Sequence, residues 1–165
     1  EGASCRIDGA YLVDGRRHAD VTALVEHRAP HCSSRQTQKG VVGGAGHAVF
    51  QGKVKVDPGA QKTDANQLSQ TLLLSRDAEI DVKPELEIYA DDVKCSHGAT
   101  SGRLDESALF YLRARGIPEQ AARALLIQGF IDGALDEIDH HPVRDAFKDA
   151  AASWLADHAS WESVR

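Results

Sequence analysis

Residues 1–102 alternate between hydrophobic and polar positions, which is typical of half-buried β-strands. The alternation is clearest over 78–90, and weaker copies lie in 50–56 and 21–25. The hydrophobic members of the clearest stretch are Ile80, Val82, Leu86 and Ile88. Pro84 falls at an inward position of this stretch and has no backbone N–H to donate, which predicts a bend or corner there.

No helical stripe interrupts these strands, so their arrangement has two solutions. They form either an antiparallel sandwich or the coils of a parallel β-helix, because both folds bury one face of each strand. The hydrophobic runs recur at a spacing on the order of twenty residues, within the range of solenoid repeats. The repeats share no sequence motif, so the hydrophobic pattern alone leaves both folds open.

The period changes from strand to helix near Gly102. Asp105 is expected to cap a helix through the backbone N–H groups of Ser107 and Ala108, and Gly116 is a typical helix stop. Three helices are predicted, over residues 105–115, 118–138 and 143–159, with His140-His141-Pro142 breaking the chain before the last one. We therefore expect a β domain over 1–102 and a small helical domain over 103–165.

The second predicted helix is hydrophobic over a wider arc than one packing contact requires. Leu126 and Phe130 lie on one stripe, and Ile127 and Ile131 lie on a neighbouring stripe. Either this helix is simply the centre of the helical domain, or part of the arc docks a partner. The stripe of the third helix consists of Phe147, Ala150, Ala151, Trp154, His158 and Trp161.

Composition and charge limit the functions that this chain is expected to have. The chain has 165 residues and a formal net charge of −6, which disfavours binding to bare nucleic acid or anionic lipid. No run of apolar residues is long enough to cross a bilayer. Three widely spaced cysteines without a secretion signal predict a reducing compartment, the cytoplasm. A chain without any methionine is expected to be a fragment of a longer protein.

Glycine-rich phosphate-binding motifs do not fit. Gly46 and Gly52-Lys53 are spaced one residue too far apart for a phosphate-binding loop, and Val54 replaces the hydroxyl residue that holds Mg²⁺. Val49 occupies the third glycine position of the dinucleotide fingerprint. These glycines are interpreted as loop residues.

The tripeptide Cys95-Ser96-His97 is the most suggestive chemical feature. Residues two apart on a strand point to the same side, so a thiolate and an imidazole would converge. They would form half of a metal site or a thiolate–imidazole pair, although a buried cysteine beside a structural histidine is the more common arrangement. Further metal ligands would have to come from elsewhere in the fold or from another chain. Asp91-Asp92, just before this tripeptide, is interpreted as a turn; the separate cluster His27, His31 and Cys32 is interpreted as polar loop residues, with metal binding as the alternative.

A long segment of the chain is similar to a known family. The stretch KPELEIYADDVKCSHGATSGRLDESALFYLRARGI at 83–117 closely resembles the SufB/SufD family of iron–sulfur cluster assembly proteins. Further similarity lies in HRAPHCSSRQTQKGVV at 27–42 and across 50–75. The string ADDVKCSHGAT at 90–100 is similar to the SufD branch, and the absence of cysteine at 65–67 agrees with that branch.

The resemblance implies a mainly β fold, a partial right-handed parallel β-helix followed by a small α-helical C-terminal domain. It implies a scaffold subunit without an active site of its own, which pairs with SufB through the β-helix and docks the ABC-type ATPase SufC through its helices. Clusters would form transiently at the interface with SufB, with none expected on the isolated chain, which could self-associate through exposed strand edges.

Site residues follow from the same resemblance. Cys95 and His97 match residues at the SufB–SufD interface and are expected to contact the cluster or its sulfur, as candidate metal ligands. The residues expected to dock the ATPase are Tyr111, Leu112, Leu126, Ile127, Phe130 and Ile131. Two other functions are kept as alternatives: a β-helix carbohydrate-active enzyme with convergent carboxylates in a groove, and an interaction module without a metal role.

Overall fold

A computed structural model describes residues 1–157, which form a parallel β-solenoid of about three turns followed by three helices. The strands are β1 Ser4–Val13, β2 His18–His27, β3 Ser33–Val42, β4 His47–Val56, β5 Asp64–Leu73, β6 Glu79–Ile88 and β7 Lys94–Gly102. Sheet A has the order β1-β3-β5-β7 and sheet B the order β2-β4-β6. All described pairings are parallel. The expected β-helix is therefore confirmed, and the antiparallel sandwich is excluded.

One turn of the solenoid contains a strand of each sheet. Ser4 pairs with Ser33, Ser33 with Asp64, and Asp64 with Lys94, so a turn takes about 30 residues rather than the expected twenty or so. Strands β3 and β5 of sheet A lie between the recognised hydrophobic runs and were overlooked because several of their inward residues are polar.

Sheet B has the alternation that the sequence predicts. Phe50, Val54 and Val56 of β4 point inward and are almost completely buried. Pro84 does not form a corner: it lies within β6, in register with Gly52 of β4. Because β6 is the last described strand of sheet B, a residue without an N–H is tolerated there.

Sheet A has a polar inner face. Its buried polar residues are Ser34, Gln36, Gln38, Gln67, Ser69 and Thr71. Most of them are held by hydrogen bonds across the core or along the sheet: the Gln67 amide donates to Gln36 Oε1 over 2.7 Å, and the Tyr11 and Thr71 hydroxyls lie 2.8 Å apart. Hydrogen bonds of this kind offset the cost of taking polar groups out of water.

Three helices follow the solenoid: α1 Glu106–Ala114, α2 Glu119–Leu135 and α3 His141–Asp157. Asp105 caps α1 by accepting from the N–H groups of Ser107 and Ala108, as predicted. Gly116, at φ 84°, closes the same helix. The predicted end of the third helix at residue 159, with His158 and Trp161, lies outside the described residues.

The other helix ends differ from the prediction by a few residues. Helix α2 stops at Leu135, and α3 already begins at His141. Pro142 therefore does not separate the two helices but lies in the first turn of α3, where its missing N–H costs little.

Helix α2 packs on the outer face of sheet A. Its Ile127 and Ile131 are completely buried and belong to one hydrophobic cluster with Val41 of β3. Leu12 of β1 and Leu72 of β5 pack against the same cluster. The helices therefore cover the C-terminal ends of these strands, whereas Cys95 and His97 lie near the N-terminal end of β7.

Candidate functional site

Strand β7 carries the predicted Cys95 and His97 at the edge of the solenoid. In the part of the chain that the structure describes, β7 pairs with β5 alone, with Cys95 opposite Ala65 and His97 opposite Gln67. The two Cα atoms are about 6.6 Å apart, two strand residues. Both side chains point to the inner face, because Cys95 packs against the core cluster around Val54 and Val56. The sequence spacing had predicted this convergence.

Burial differs between the two side chains. Cys95 is half-buried, whereas His97 is exposed. Burial raises the pKa of the Cys95 thiol above its ordinary value, a hydrogen bond to the backbone of Ala65 opposes this rise, and the nearby Asp64 carboxylate adds to it. The thiol is therefore protonated at neutral pH in this chain, and a metal or a base has to remove its proton before it can act as a ligand.

The ligand set at β7 is incomplete among the residues that the structure describes. Among residues 1–157, no group of three or more histidine, cysteine, aspartate or glutamate side chains is arranged to hold a metal ion. Cys95 and His97 supply two donors, and a four-coordinate zinc site or the Cys₄ or Cys₂His₂ ligation of a cluster requires more. The arrangement can therefore provide half of a metal or cluster site at most.

The second cluster of cysteine and histidine is not a polar loop. His27 ends β2 and is buried, with its Nε2 2.9 Å from Ser34 Oγ, and burial lowers the pKa of its imidazole. Cys32 is also buried, and its thiol donates weakly to the carbonyl of Pro30 over 3.6 Å. Only His31 occupies an exposed turn, at φ 60°. The polar-loop interpretation was wrong for two of these three residues, which are structural.

Several acidic residues lie in turns or form surface ion pairs. Asp92 lies in the bend before β7, where its N–H donates to Gln61 Oε1, in agreement with the turn interpretation. On the outer face of sheet B, Asp81 pairs with His47 at 2.8 Å and Glu85 with Lys83 at 2.9 Å. This solvated strand face differs from the convergent carboxylates that a carbohydrate-active β-helix enzyme would need.

The burial of individual side chains excludes some of the predicted docking residues and leaves others accessible. Ile127 and Ile131 are completely buried in the core between α2 and sheet A, so they cannot contact a partner in this fold. Phe130 is half-buried beneath Lys39, whose Nζ lies 4.8 Å from the ring centre. Leu112 and Leu126 are half-buried. Tyr111 is 55% exposed, and the Arg115 guanidinium stacks on its ring.

The sequence reasoning missed one exposed hydrophobic residue, Phe110, whereas another, Leu125, belongs to the wide hydrophobic arc that it assigned to the second helix. Phe110 of α1 is 73% exposed, and Leu125 of α2 is 55% exposed. Leu109 is the buried residue of α1, so the helical period places Phe110 and Tyr111 on the outer side. That signal was available in the sequence for Phe110. Gln67 was also missed, because only the strand register places it beside His97.

Comparison with known proteins gives the family. Residues 1–130 match the family model described as "SUF system FeS cluster assembly, SufBD core domain". This chain belongs to the SufBD family. The match includes β7 with Cys95 and His97 and most of α2. No helix among residues 1–157 has the length and hydrophobicity needed to cross a membrane.

Curated relatives of this SufBD family member come from several bacterial groups. It is 45% identical to the iron–sulfur cluster assembly protein SufD of Escherichia coli over 130 residues, which is 79% of this chain and 31% of that protein. It is 45% identical over 127 residues to a SufBD family protein of Synechocystis, covering 77% of this chain and 28% of the relative. It is 35% identical over 152 residues to a SufBD family protein of Mycobacterium leprae, which covers 87% of this chain and 39% of the relative. The chain thus spans between 28% and 39% of these relatives' lengths.

Proposed function

We propose that this SufBD family member is a scaffold subunit of the SUF iron–sulfur cluster assembly machinery that catalyses no reaction by itself. The observation that carries this proposal is the position of Cys95 and His97 on β7, the edge strand, with an incomplete set of ligands. Two ligands at the edge of a sheet can form a complete cluster site when a second chain supplies the remaining ligands. The cluster is substrate and product here, held transiently at the interface, and the isolated chain would hold none.

The partner at this edge is proposed to be SufB, bound through the β-solenoid. The outer edge of β7 has backbone N–H and C=O groups without a neighbouring strand among residues 1–157, and such an edge is suited to pairing with another chain. Ile88 and Tyr89, at the end of the neighbouring β6, are exposed hydrophobic residues at the same end of the solenoid. Without this partner the same edge would favour self-association.

The ATPase SufC is proposed to dock on the helices through Tyr111 with Leu112 and Leu126. The exposed Phe110 adds to this surface, which replaces the buried Ile127 and Ile131 of the sequence prediction. ATP hydrolysis would then belong to the partner, and this chain would transmit its movement to the solenoid. The cytoplasm is the expected compartment for this assembly.

The ligand role is tested by Cys95→Ser and His97→Ala in the complex of this chain with its partners. Each change is expected to lower the yield of iron–sulfur cluster, measured by visible absorbance, by about tenfold or more, because a ligand or its orientation is lost. Cys5→Ser is the matched control, since Cys5 is an exposed cysteine on β1 at the other described edge of sheet A. Equal yields for Cys95→Ser and Cys5→Ser would refute the ligand role and leave an interaction module.

The docking role is tested by co-elution with the ATPase in size-exclusion chromatography. Tyr111→Asp is expected to abolish co-elution, whereas Val143→Asp, at an exposed hydrophobic position of α3, should preserve it. Ile131→Asp is unsuitable because a buried charge would unfold the helical domain. Co-elution of the Tyr111→Asp chain would contradict docking at α1.

A further inference from the structure

Gln67 is a completely buried amide in the inner face of β5. Its Nε2 donates to Gln36 Oε1 on β3 over 2.7 Å. The side chain extends across the core to β4, where a Cβ at position 52 would collide with its amide, so Gly52 leaves the room that this amide occupies. The orientation of the Gln67 amide is therefore set by the packing and by the bond to Gln36.

The other end of the same amide has no partner. Gln67 Oε1 is buried and accepts no hydrogen bond among the described residues. Since Oε1 and Nε2 diverge by about 120° from one planar carbon, an amide whose nitrogen points toward β3 directs its oxygen to the opposite side. That side is β7, where His97 lies in register with Gln67 on the same inner face.

His97 is free to meet this oxygen. Its ring takes part in no hydrogen bond or ion pair within residues 1–157, and its side chain is exposed. Neighbouring strands lie about 4.8 Å apart, so an in-register imidazole reaches the amide by rotation of its own side chain. A carbonyl oxygen can only accept, so the ring nitrogen that faces Gln67 has to carry a proton.

We propose that Gln67 Oε1 accepts a hydrogen bond from a ring N–H of His97 and thereby fixes the tautomer and orientation of that imidazole. The second ring nitrogen then remains unprotonated and faces away from Gln67, ready to act as a donor to iron. Gln67 is a positioning residue, since it acts through His97 and does not touch the cluster. The ligand half of this inference rests on the proposed function, whereas the hydrogen bond itself does not.

The hydrogen bond is tested by nuclear magnetic resonance of the chain with ¹⁵N-labelled histidine. One slowly exchanging ring N–H is expected that disappears in His97→Gln, which assigns it. Gln67→Met keeps the length of the side chain but removes the acceptor, and it should abolish this signal. Asn66→Ala is the matched control, because Asn66 is the adjacent residue on β5 and bonds Ser96 on the opposite face. His27, bonded to Ser34, should keep its own ring signal throughout.

A conservative variant separates positioning from folding. Gln67→Glu, protonated in the buried site, keeps both a donor for Gln36 and an acceptor for His97, so it should retain the protected ring N–H. The inference would be overturned if the wild type showed no slowly exchanging ring N–H of His97. It would also be overturned if this signal persisted unchanged in folded Gln67→Met.

The cluster yield then distinguishes the inference from the proposed function. In the complex, Gln67→Met is expected to lower the yield by about tenfold, as for other residues that orient metal-binding histidines. If the ring N–H is lost while the yield is unchanged, Gln67 positions His97 as inferred but cluster formation does not depend on that position, so the ligand half of the inference is overturned; the ligand role of His97 itself is decided by His97→Ala.

Discussion

The inner faces of the two sheets of the solenoid differ in polarity. Sheet B places Phe50, Val54 and Val56 inside and charged residues outside. Sheet A places glutamine, serine and threonine in the middle of its inner face and hydrophobic residues such as Val13 and Val42 near its C-terminal ends, while Val41 lies outside beneath α2. In the middle of β3 and β5 the inward residues are polar, whereas at the C-terminal end of β3 residues on both faces are apolar, because α2 rather than water covers the outer face there.

This difference shows that hydrophobic alternation marks a strand clearly where its inner face is apolar and its outer face is wet, and that it fades where polar groups line the inner face or helices cover the outer one. A polar inner face is stable where its groups bond one another, as Gln36 and Gln67 do. It also brings hydrogen-bonding groups next to the inward residues of β7. The candidate site therefore lies at the end of the polar sheet.

The largest effect is expected in the apolar sheet. Phe50→Ala should lower the free energy of unfolding by about 3–5 kcal/mol, because it leaves a cavity over Gly52 in a fully buried part of the core. Urea unfolding followed by circular dichroism measures this value. Val49→Ala is the control on the less buried face of the same strand and should cost much less. Similar losses for both variants would contradict the inward orientation of Phe50.

An intermediate effect is expected in the polar sheet. Gln36→Leu should cost about 1–3 kcal/mol, because the Gln67 N–H loses its acceptor in a dry interior. The double variant Gln36→Leu/Gln67→Leu should cost less than the sum of the two single changes, since no amide is left unpaired. Additive losses in urea unfolding would show that the two amides do not interact.

A smaller effect is expected where α2 covers sheet A. Gly129→Ala should stabilise the chain by up to about 1 kcal/mol through helix propensity, because its new methyl group meets open space. Gly133→Ala should gain less, since its methyl group would collide with Nζ of Lys39, which lies over Phe130. The difference in thermal midpoint between these two variants measures how closely the helix approaches the sheet. Equal gains would show that the Lys39 side chain moves aside at little cost.

The smallest effect concerns pH and the contact between the two sheets at His27. Burial lowers the pKa of this imidazole, so the unfolded chain binds the proton more readily than the folded chain. The resulting stability is fully present above about pH 6.5 and is lost as the pH falls from there through the folded pKa. His27→Gln should flatten this part of the stability curve in urea titrations.

The control for the pH prediction is the exposed His31, which occupies a left-handed turn. His31→Asn keeps a residue that tolerates this backbone conformation and should leave the slope unchanged. A slope that persists in His27→Gln would assign the pH dependence to other groups.

Local features of the fold were predictable because neighbouring residues encode them. The alternation of β4, the Asp105 cap and the Gly116 stop follow from short-range rules of burial and hydrogen bonding. The convergence of Cys95 and His97 follows from strand geometry in the same way. The polar strands of sheet A could not be found by hydrophobicity, since their inward residues resemble surface residues.

For the docking residues, the sequence shows which side chains are hydrophobic but not which of them are exposed. The wide hydrophobic arc of α2 was visible in the sequence, but whether a hydrophobic residue faces the core or a partner depends on what packs against it. Ile127 and Ile131 face Val41 of sheet A, whereas Leu125 of the same helix faces solvent. Sequence periodicity alone does not separate these two sides when both are hydrophobic.

The sequence by itself determined the family, the strand-to-helix change near Gly102 and the pairing of a thiol with an imidazole on one side of a strand. Only the tertiary structure decided that this strand forms an edge of the described solenoid, that Gln67 lies beside His97, and which residues of α2 are exposed. The physical reason is distance along the chain. Spacing rules act over a few residues, whereas the register that joins β5 to β7 connects positions about thirty residues apart.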